Sequence, residues 1–342
     1  MKLMKIEKAN LSKLIDQLKK DNHRIIGVTP DGKRFSENFD ESLKFMQTDT
    51  PPTAISFKEH FFPKTEALFY YKNNNGAIDL KEPAVDERKT VVIGARPCDS
   101  ASLPILSKVF NWDYADDFFN RRVENSIIIG MECNFRDDQC FCNEVGLSQH
   151  SEKGSDIFLT PVEDSFLVKS ITEKGAGFIE EYSSFFEPYT GIPPVESKNG
   201  HEEKKFDYDN VKKWLDSHFE DEFWDKAGET CLSCGQCAFV CPTCHCFDIV
   251  DEQCGTCSGV RAKNWDACQF SLFTKHASGH NPRDSREKRY RQRISHKFKY
   301  YNDKFSEILC TGCGRCSRGC PVSIDILEIV EKIDHLAHSN AG

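Results

Sequence analysis

The chain has 342 residues, of which 39% are hydrophobic and 29% are charged, and its formal net charge is −9. This length suggests two domains at roughly 100 to 200 residues each, and the composition excludes a disordered or membrane-embedded chain. The negative charge argues against general nucleic-acid binding, which needs a basic surface that displaces counterions from phosphates.

An α/β domain is predicted over residues 1–190. An apolar stripe at helical spacing predicts an amphipathic helix over residues 8–20. Short apolar runs bounded by turn residues lie at residues 25–28, 90–94 and 126–130, and the last two predict buried strands. Because a helical pattern at 101–110 separates the last two, we expect a partly parallel sheet.

A polar stretch with a Pro pair, Gly and mixed charge predicts a linker over residues 191–205. The second domain then covers residues 206–342. Helical spacing predicts one helix that starts near Val211 and leads into a cysteine-rich segment, and a closing helix from Ile324 to Ile333.

The 17 cysteines are grouped along the chain. Four lie between Cys98 and Cys142, and thirteen lie between Cys231 and Cys320. The first thirty residues lack the apolar core and cleavage site of a signal peptide, so we expect a cytoplasmic protein in which disulfides are rare. Metal or cluster ligation is the leading explanation of the grouping.

Two copies of the spacing C-x2-C-x2-C-x3-C-P stand in the second domain. This spacing wraps three thiolates around three irons of one [4Fe-4S] cubane, and in two-cluster ferredoxins the fourth cysteine ligates the other cluster. A tetrahedral zinc site draws four ligands from two pairs and has no need of the triple spacing, so zinc is the weaker alternative. We therefore predict two [4Fe-4S] clusters, one at site A (Cys231, Cys234, Cys237 and Cys320) and one at site B (Cys310, Cys313, Cys316 and Cys241).

Cys241 and Cys310 are separated by 68 residues, far more than a compact bacterial ferredoxin places between its motifs. Four motifs follow there in order: Cys241-Pro-Thr-Cys244-His-Cys246, Trp265-Asp-Ala-Cys268, Gly279-His-Asn-Pro-Arg283 and Arg289-Tyr-Arg-Gln-Arg293. Together with Ala95-Arg-Pro-Cys98-Asp99 and Cys140-Phe-Cys142 in the first domain, they resemble the beta, iron–sulfur subunit of sulfhydrogenase-type nickel–iron hydrogenases. The same motifs also resemble the A subunit of anaerobic sulfite reductase.

The expected architecture is an α/β domain joined to an α+β ferredoxin-like dicluster domain with a long insertion between its motifs. The resemblance implies two partners, a flavin- and NAD(P)-binding subunit with a [2Fe-2S] centre and a catalytic subunit of hydrogenase, sulfite or sulfur reductase, or heterodisulfide-reductase type. The chain has no G-x-G-x-x-G before a helix and no G-x-x-x-x-G-K-[ST], so we predict no flavin or nucleotide of its own. The first hypothesis is thus a non-catalytic electron-transfer subunit.

Site C is formed by the four cysteines of the first domain, Cys98, Cys133, Cys140 and Cys142. Their number is what one further cubane needs, and three of them follow predicted strands, where sites of α/β sheets form. Zinc binding and apolar packing are open alternatives. The second hypothesis is that site C holds a catalytic cluster. One iron of that cluster has no protein ligand and acts on sulfur or a disulfide.

Three further features have two or more interpretations. Cys244, Cys246 and Cys268 are interpreted as packing or potential-tuning neighbours of the clusters, and the pair Cys254 and Cys257 as buried small residues or added ligands. The run Arg283–Lys299 has eight Lys or Arg against two acidic residues. It is a solvated helix face, a strip that stabilises reduced anionic clusters, or a docking face for an acidic partner.

Overall fold

The computed structural model describes residues 3–191 and 204–339, so the predicted linker lies almost wholly outside the described residues. The elements of the first part are β1 (Met4–Glu7), α1 (Lys8–Lys20), β2 (Arg24–Val28), β3 (Phe35–Ser36), β4 (Thr65–Asn74), β5 (Ala77–Lys81), β6 (Thr90–Ala95), α2 (Pro97–Ser100), α3 (Ser102–Phe110), α4 (Asp117–Glu124), β7 (Ser126–Met131), β8 (Ile157–Val162), β9 (Ser165–Ser170), α5 (Glu173–Glu181) and β10 (Glu187–Pro188). Those of the second part are α6 (Tyr208–Ser217), α7 (Phe223–Gly228), α8 (Gln236–Phe239), β11 (Phe247–Gln253), β12 (Ser258–Trp265), α9 (Arg286–Ser295), α10 (Tyr301–Phe305), α11 (Arg315–Arg318) and α12 (Ile326–Ser339). A π-helical turn, His296–Tyr300, joins α9 to α10.

The first sheet has eight strands in the order β10-β1-β9-β8-β7-β6-β2-β3. The neighbours β2, β6, β7 and β8 are parallel, whereas β9 and β1 run antiparallel to their neighbours. The two predicted strands are β6 and β7, the apolar run at 25–28 lies in β2, and the predicted crossover helix is α3. The mixed α/β architecture predicted for the first domain is therefore confirmed.

Both faces of this sheet are covered, which explains the continuous apolar runs of its strands. Val91 and Ile93 of β6 pack on the side of α1, whose apolar stripe is fully buried. Val92, between them, faces the opposite side and packs with residues of α3 such as Leu103. Site C lies at the carboxyl edge of this parallel core, because Cys98 follows β6 and Cys133 follows β7.

A second sheet is built from both parts of the chain, in the order β11-β12-β4-β5. The hairpin β4–β5 comes from the first part, and β12 from the second part pairs with β4 along its length. Lys263 of β12 forms a buried ion pair at 2.7 Å with Glu66 of β4. The segment between the two cysteine motifs is thus anchored to the first part of the chain.

The helices α6, α9 and α12 share one apolar core, which includes Trp214, Ile294 and Val330. This core supports the loops that carry the two motifs, since Cys310 also belongs to it. Across residues 3–191 and 204–339, no helix has both the length and the apolar character that crossing a membrane requires.

Candidate functional site

The four cysteines of site A line a single pocket, although Cys320 is distant in sequence, and Cys316 of site B also borders this pocket. Cys231 and Cys234 lie in the loop before α8, whereas Cys320 follows α11. Helices α8 and α11 contact each other and bring the two loops together. Cys320 therefore faces the cysteines of the first motif, an arrangement that cross-ligation requires.

The two motifs fold into the same local geometry. The residue before the second cysteine has a left-handed backbone in both, with φ of 55° at Ser233 and 62° at Gly312. Its amide donates a hydrogen bond of 3.4 Å to the first sulfur of the motif, Cys231 or Cys310. Such N–H···S bonds stabilise thiolates and tune the potential of a cluster.

Site B is more deeply buried than site A, and Cys241, Cys310 and Cys313 are all buried. Burial raises the pKa of Cys310 to about 12, with Lys297 lowering it and the neighbouring Cys241 raising it. A thiol in such surroundings ionises when a metal cation binds it. The surroundings of site B therefore disfavour free thiolates and favour cysteines that bind a metal cation.

The basic run Arg283–Lys299 turns one face toward these cysteines. Arg289, Arg293 and Lys297 recur every four residues, and their exposed fractions are 6%, 3% and 2%. Arg289 donates a hydrogen bond of 3.0 Å to the hydroxyl of Ser233, inside the first motif. The docking interpretation is therefore wrong for these three side chains, because they are not at the surface.

Two of these cations contact sulfur directly. Lys297 Nζ donates to Cys241 Sγ at 3.2 Å, and Arg293 Nη1 donates to Cys244 Sγ at 3.4 Å. The second guanidinium nitrogen of Arg293 donates to the carbonyl of Cys237 at 2.9 Å. The strip thus supplies buried positive charge between sites A and B, which stabilises anionic groups there.

Besides Cys244, four cysteines lie outside the three sites, and they form two pairs. Cys246 precedes β11 and Cys268 follows β12 at the base of this hairpin, and their interaction lowers the pKa of Cys268 to about 6 and raises the pKa of Cys246. Cys254 and Cys257 lie exposed at the tip of the same hairpin. The interpretation of Cys254 and Cys257 as buried packing residues is therefore wrong.

All four cysteines of site C line one pocket, and Gly312 and Cys313 of the second motif contribute to its wall. Burial and the nearby Cys140 and Cys133 raise the pKa of Cys142 to about 12. As at site B, such thiols ionise on binding a metal cation. Site C is assembled by the fold, since Cys98 comes from α2 and its other three cysteines come from the connection between β7 and β8.

Sites B and C share a wall. The amide of Phe141 donates to the carbonyl of Gly312 at 2.9 Å. A Cβ added at Gly312 would lie 2.4 Å from the backbone of Phe141 and Cys142, so this close approach requires glycine. The loop of site C therefore packs directly on the motif of site B.

Two arginines at site C, Arg315 and Arg318, are paired with carboxylates. Arg315 and Asp99 form a fully buried ion pair at 2.9 Å. Arg318 pairs with Asp137 at 2.8 Å and also donates to Cys140 Sγ at 3.0 Å. This pairing cancels much of the positive charge that the arginines bring to the site.

Lys58 is a residue of the site that the sequence pattern did not reveal. Its buried Nζ donates to the carbonyl of Cys244 at 3.0 Å and lies 3.9 Å from the ring centroid of Trp265. Burial lowers the pKa of Lys58 to about 8, against the opposing effect of the nearby cysteines. No local motif marks it, whereas the four-residue spacing of Arg289, Arg293 and Lys297 is visible in the sequence.

Iron–sulfur clusters fit sites A and C because a cubane binds one thiolate at each iron, and the thiols line pocket walls. Over the two described ranges, no three His, Cys, Asp or Glu side chains stand close enough together to hold a single metal ion.

Comparison with known proteins identifies the second part of the chain. Residues 230–324, which contain both motifs, match the 4Fe-4S dicluster domain family. Sulfhydrogenase 2 subunit beta of Pyrococcus furiosus is 32% identical over 309 residues, which cover 88% of this chain and 88% of that protein. No solved structure matches the chain. The resemblance seen in the sequence motifs is confirmed.

Proposed function

The chain belongs to the family of sulfhydrogenase beta subunits, and from this premise we propose that it relays single electrons through three [4Fe-4S] clusters. The observation that carries the proposal is the convergence of Cys320 with the first motif in one pocket. Two motifs that exchange their fourth cysteines hold two cubanes, and the residues around them supply hydrogen bonds and charge.

The ligands proposed for the two clusters of the dicluster domain are the cysteines of sites A and B. Their domain is proposed to have a ferredoxin-like fold, into which the segment between Cys241 and Cys310 is inserted. Site A includes the exposed Cys234, whereas three of the four cysteines of site B are buried. Electrons from outside therefore enter or leave at site A, and site B connects it with site C.

A third cluster is proposed at site C, because four cysteines from two separate segments, α2 and the β7–β8 connection, line one pocket beside the second motif. The alternative, a catalytic cluster that acts on sulfur or a disulfide, needs an iron without a protein thiolate. Four thiols at the pocket supply one ligand for each iron of a cubane, which favours electron transfer over catalysis there.

The proposed partners are a flavin- and NAD(P)-binding subunit with a [2Fe-2S] centre and a catalytic redox subunit. A cluster transfers one electron at a time, whereas hydride transfer at a flavin moves two electrons. This difference is the chemical reason for placing the flavin and the clusters of this chain on separate subunits. The resemblance supports these partner types, and co-purification from native cells identifies them.

The test is the metal content and reducibility of the chain after anaerobic purification. We expect about 12 iron atoms and as many labile sulfides per chain, or about 8 if site C stays empty. NAD(P)H alone should leave the cluster absorbance unchanged, and adding the flavoprotein partner should bleach it. Zinc in place of iron, or bleaching by NAD(P)H with the purified chain alone, would refute the proposal.

A further inference from the structure

One short segment of the second part carries a proposed ligand of each cluster of the dicluster domain. This exchange segment, residues 237–244, runs from Cys237 of site A through Cys241 of site B to Cys244. Its first residues belong to α8, and the rest form the turn that precedes β11. A displacement of the exchange segment would therefore move a ligand at both sites.

Two cations from distant parts of the chain hold the ends of this segment. Arg293 donates to the carbonyl of Cys237 at 2.9 Å and to the sulfur of Cys244 at 3.4 Å. Lys58, from the first part of the chain, bridges the same two ends. Its Nζ donates to the carbonyl of Ala238 at 3.4 Å and to the carbonyl of Cys244 at 3.0 Å. The two side chains thus brace the segment together.

The surroundings of Lys58 suit a charged ammonium group. The Nζ atom lies 3.9 Å from the ring centroid of Trp265, so its three N–H bonds have two carbonyl oxygens and one aromatic ring as partners. Burial lowers the pKa of Lys58 to about 8, which leaves most of the amine protonated at neutral pH. Because Lys58 is only 3% exposed, it carries a positive charge into the interior.

The buried cations around the exchange segment have no carboxylate partner. Within residues 3–191 and 204–339, Lys58, Arg293 and Lys297 donate only to carbonyl, hydroxyl or sulfur groups, and no Asp or Glu pairs with them. A buried charge without a counter-ion is strongly unfavourable. Cubanes with four thiolate ligands are anionic, and two of them would supply the missing negative charge.

We propose that Lys58 is a positioning residue for electron transfer in the dicluster domain. It fixes the exchange segment from the first part of the chain, and its charge raises the reduction potentials of the clusters at both site A and site B. Positive charge favours the more negative, reduced state of a cluster. Lys297 differs, because the ligand sulfur that it contacts, Cys241, belongs to site B. For the presence of the clusters this inference rests on the proposed function.

The docking of the two parts of the chain places this charge. Trp265 donates from its Nε1 to the carbonyl of Phe62 at 3.1 Å, and its amide donates to the carbonyl of Lys64 at 2.8 Å. These bonds hold residues 57–64 of the first part against the dicluster domain. The first part therefore contributes to the potentials of clusters whose proposed ligands all lie in the second part.

The first test measures cluster potentials in the full, cluster-loaded chain. Potentiometric titration of the resonance signals is applied to Lys58→Met, Lys58→Gln and Lys58→Arg. Met removes the charge and the hydrogen bonds, Gln keeps an N–H donor without the charge, and Arg keeps the charge. We expect Met and Gln to lower the reduction equilibrium of both clusters about tenfold, or about 59 mV for one electron, and Arg to recover most of that loss. Unchanged potentials in the Met and Gln variants would overturn the proposal.

Lys64→Met is the matched control. Lys64 lies in the same segment and 6.0 Å from the same Trp265 ring, but its side chain is 51% exposed and pairs with Glu59 at 2.8 Å. Because its charge is balanced and screened by solvent, both potentials should stay at the values of the unaltered chain. A fall as large as that in Lys58→Met would mean that any nearby lysine has this effect, and the role assigned to Lys58 would be overturned.

Iron content separates a charge effect from a folding effect. We expect all three variants of Lys58 to retain their iron. If Lys58→Met loses iron, the loaded Gln and Arg variants decide, and equal potentials in these two would show that the charge has no role. An unaltered chain without iron would overturn the proposed function. A loaded chain whose potentials do not respond to Lys58 would overturn this inference alone.

Discussion

Sites A and C each place four cysteines around one pocket, but the chain builds them in different ways. Three cysteines of site A come from one short stretch with fixed spacing, the loop before α8 and α8 itself, so local geometry sets their positions. The cysteines of site C follow β6 and β7 or lie in the loop beyond, so the parallel sheet sets theirs. The chemistry of a site built from a local motif can be predicted from the sequence. For a site built by tertiary folding, the sequence shows only how many candidate ligands the chain contains.

The two regions also differ in how their buried charges are balanced. At sites A and B, Arg293 and Lys297 direct their charges at sulfur and carbonyl groups. At site C, Arg315 and Arg318 are paired with carboxylates. Unbalanced positive charge favours the more negative, reduced state of a cluster. We therefore expect site B to have a higher potential than site C.

The largest expected effect is the loss of a whole cluster from a distant substitution. Cys320→Ala should remove about four iron atoms per chain, and the cluster lost should be that of site A, because Cys320 faces the first motif. Iron analysis and electron paramagnetic resonance of the reduced protein measure this. Cys254→Ala should retain all iron. Loss confined to the site B signal would contradict cross-ligation.

Substitution of a cysteine at site C should also remove one whole cluster, and the clusters of the dicluster domain should remain. Cys142→Ala should remove about four iron atoms and leave the signals of sites A and B in place. The measurement is again iron content with resonance spectra of the reduced chain. Unchanged iron would mean that the four thiols of site C are packing residues.

Local patterns predicted much of the fold because short-range physics decides them. The helix α1 has the predicted bounds 8–20, and the apolar runs became the buried strands β2, β6 and β7. The pairing of β4 with β12 was not predicted, because it joins segments almost 200 residues apart. The role of Lys58 was missed for the same reason, since its Nζ contacts the carbonyl of Cys244, 186 residues away.

A difference between the two motifs should control site C. Both Ser233 and Gly312 have left-handed backbones, but only Gly312 contacts the loop of site C. Gly312→Ser should therefore reduce the iron content of site C, because its Cβ would collide with the backbone of Phe141. Ser233→Gly is the matched control and should leave site C filled. A fully loaded site C in Gly312→Ser would show that the shared wall is not needed.

Removing the positive charge of Lys297 at site B should shift the reduction potential of the site B cluster without loss of iron. Lys297→Met keeps the length of the side chain but deletes the charge that contacts the Cys241 sulfur. We expect the site B potential to fall by about 50 mV, close to a tenfold change for a one-electron couple. Potentiometric titration of the resonance signal measures it. Lys299→Met is the control, since Lys299 pairs at the surface with Asp216 and Asp303.

The smallest shift in reduction potential is expected at site C, where the charge of Arg318 is balanced by Asp137. Arg318 lowers the pKa of Asp137 to about 2, so the carboxylate is ionised at neutral pH and opposes the guanidinium. Arg318→Gln alone should lower the site C potential, and Asp137→Asn alone should raise it. The double variant should shift it less than Lys297→Met shifts site B, because the two changes oppose each other. Potentiometric titration at equal iron content compares them. A shift in the double variant as large as that of Lys297→Met would mean that Arg318 acts mainly through its hydrogen bond to Cys140.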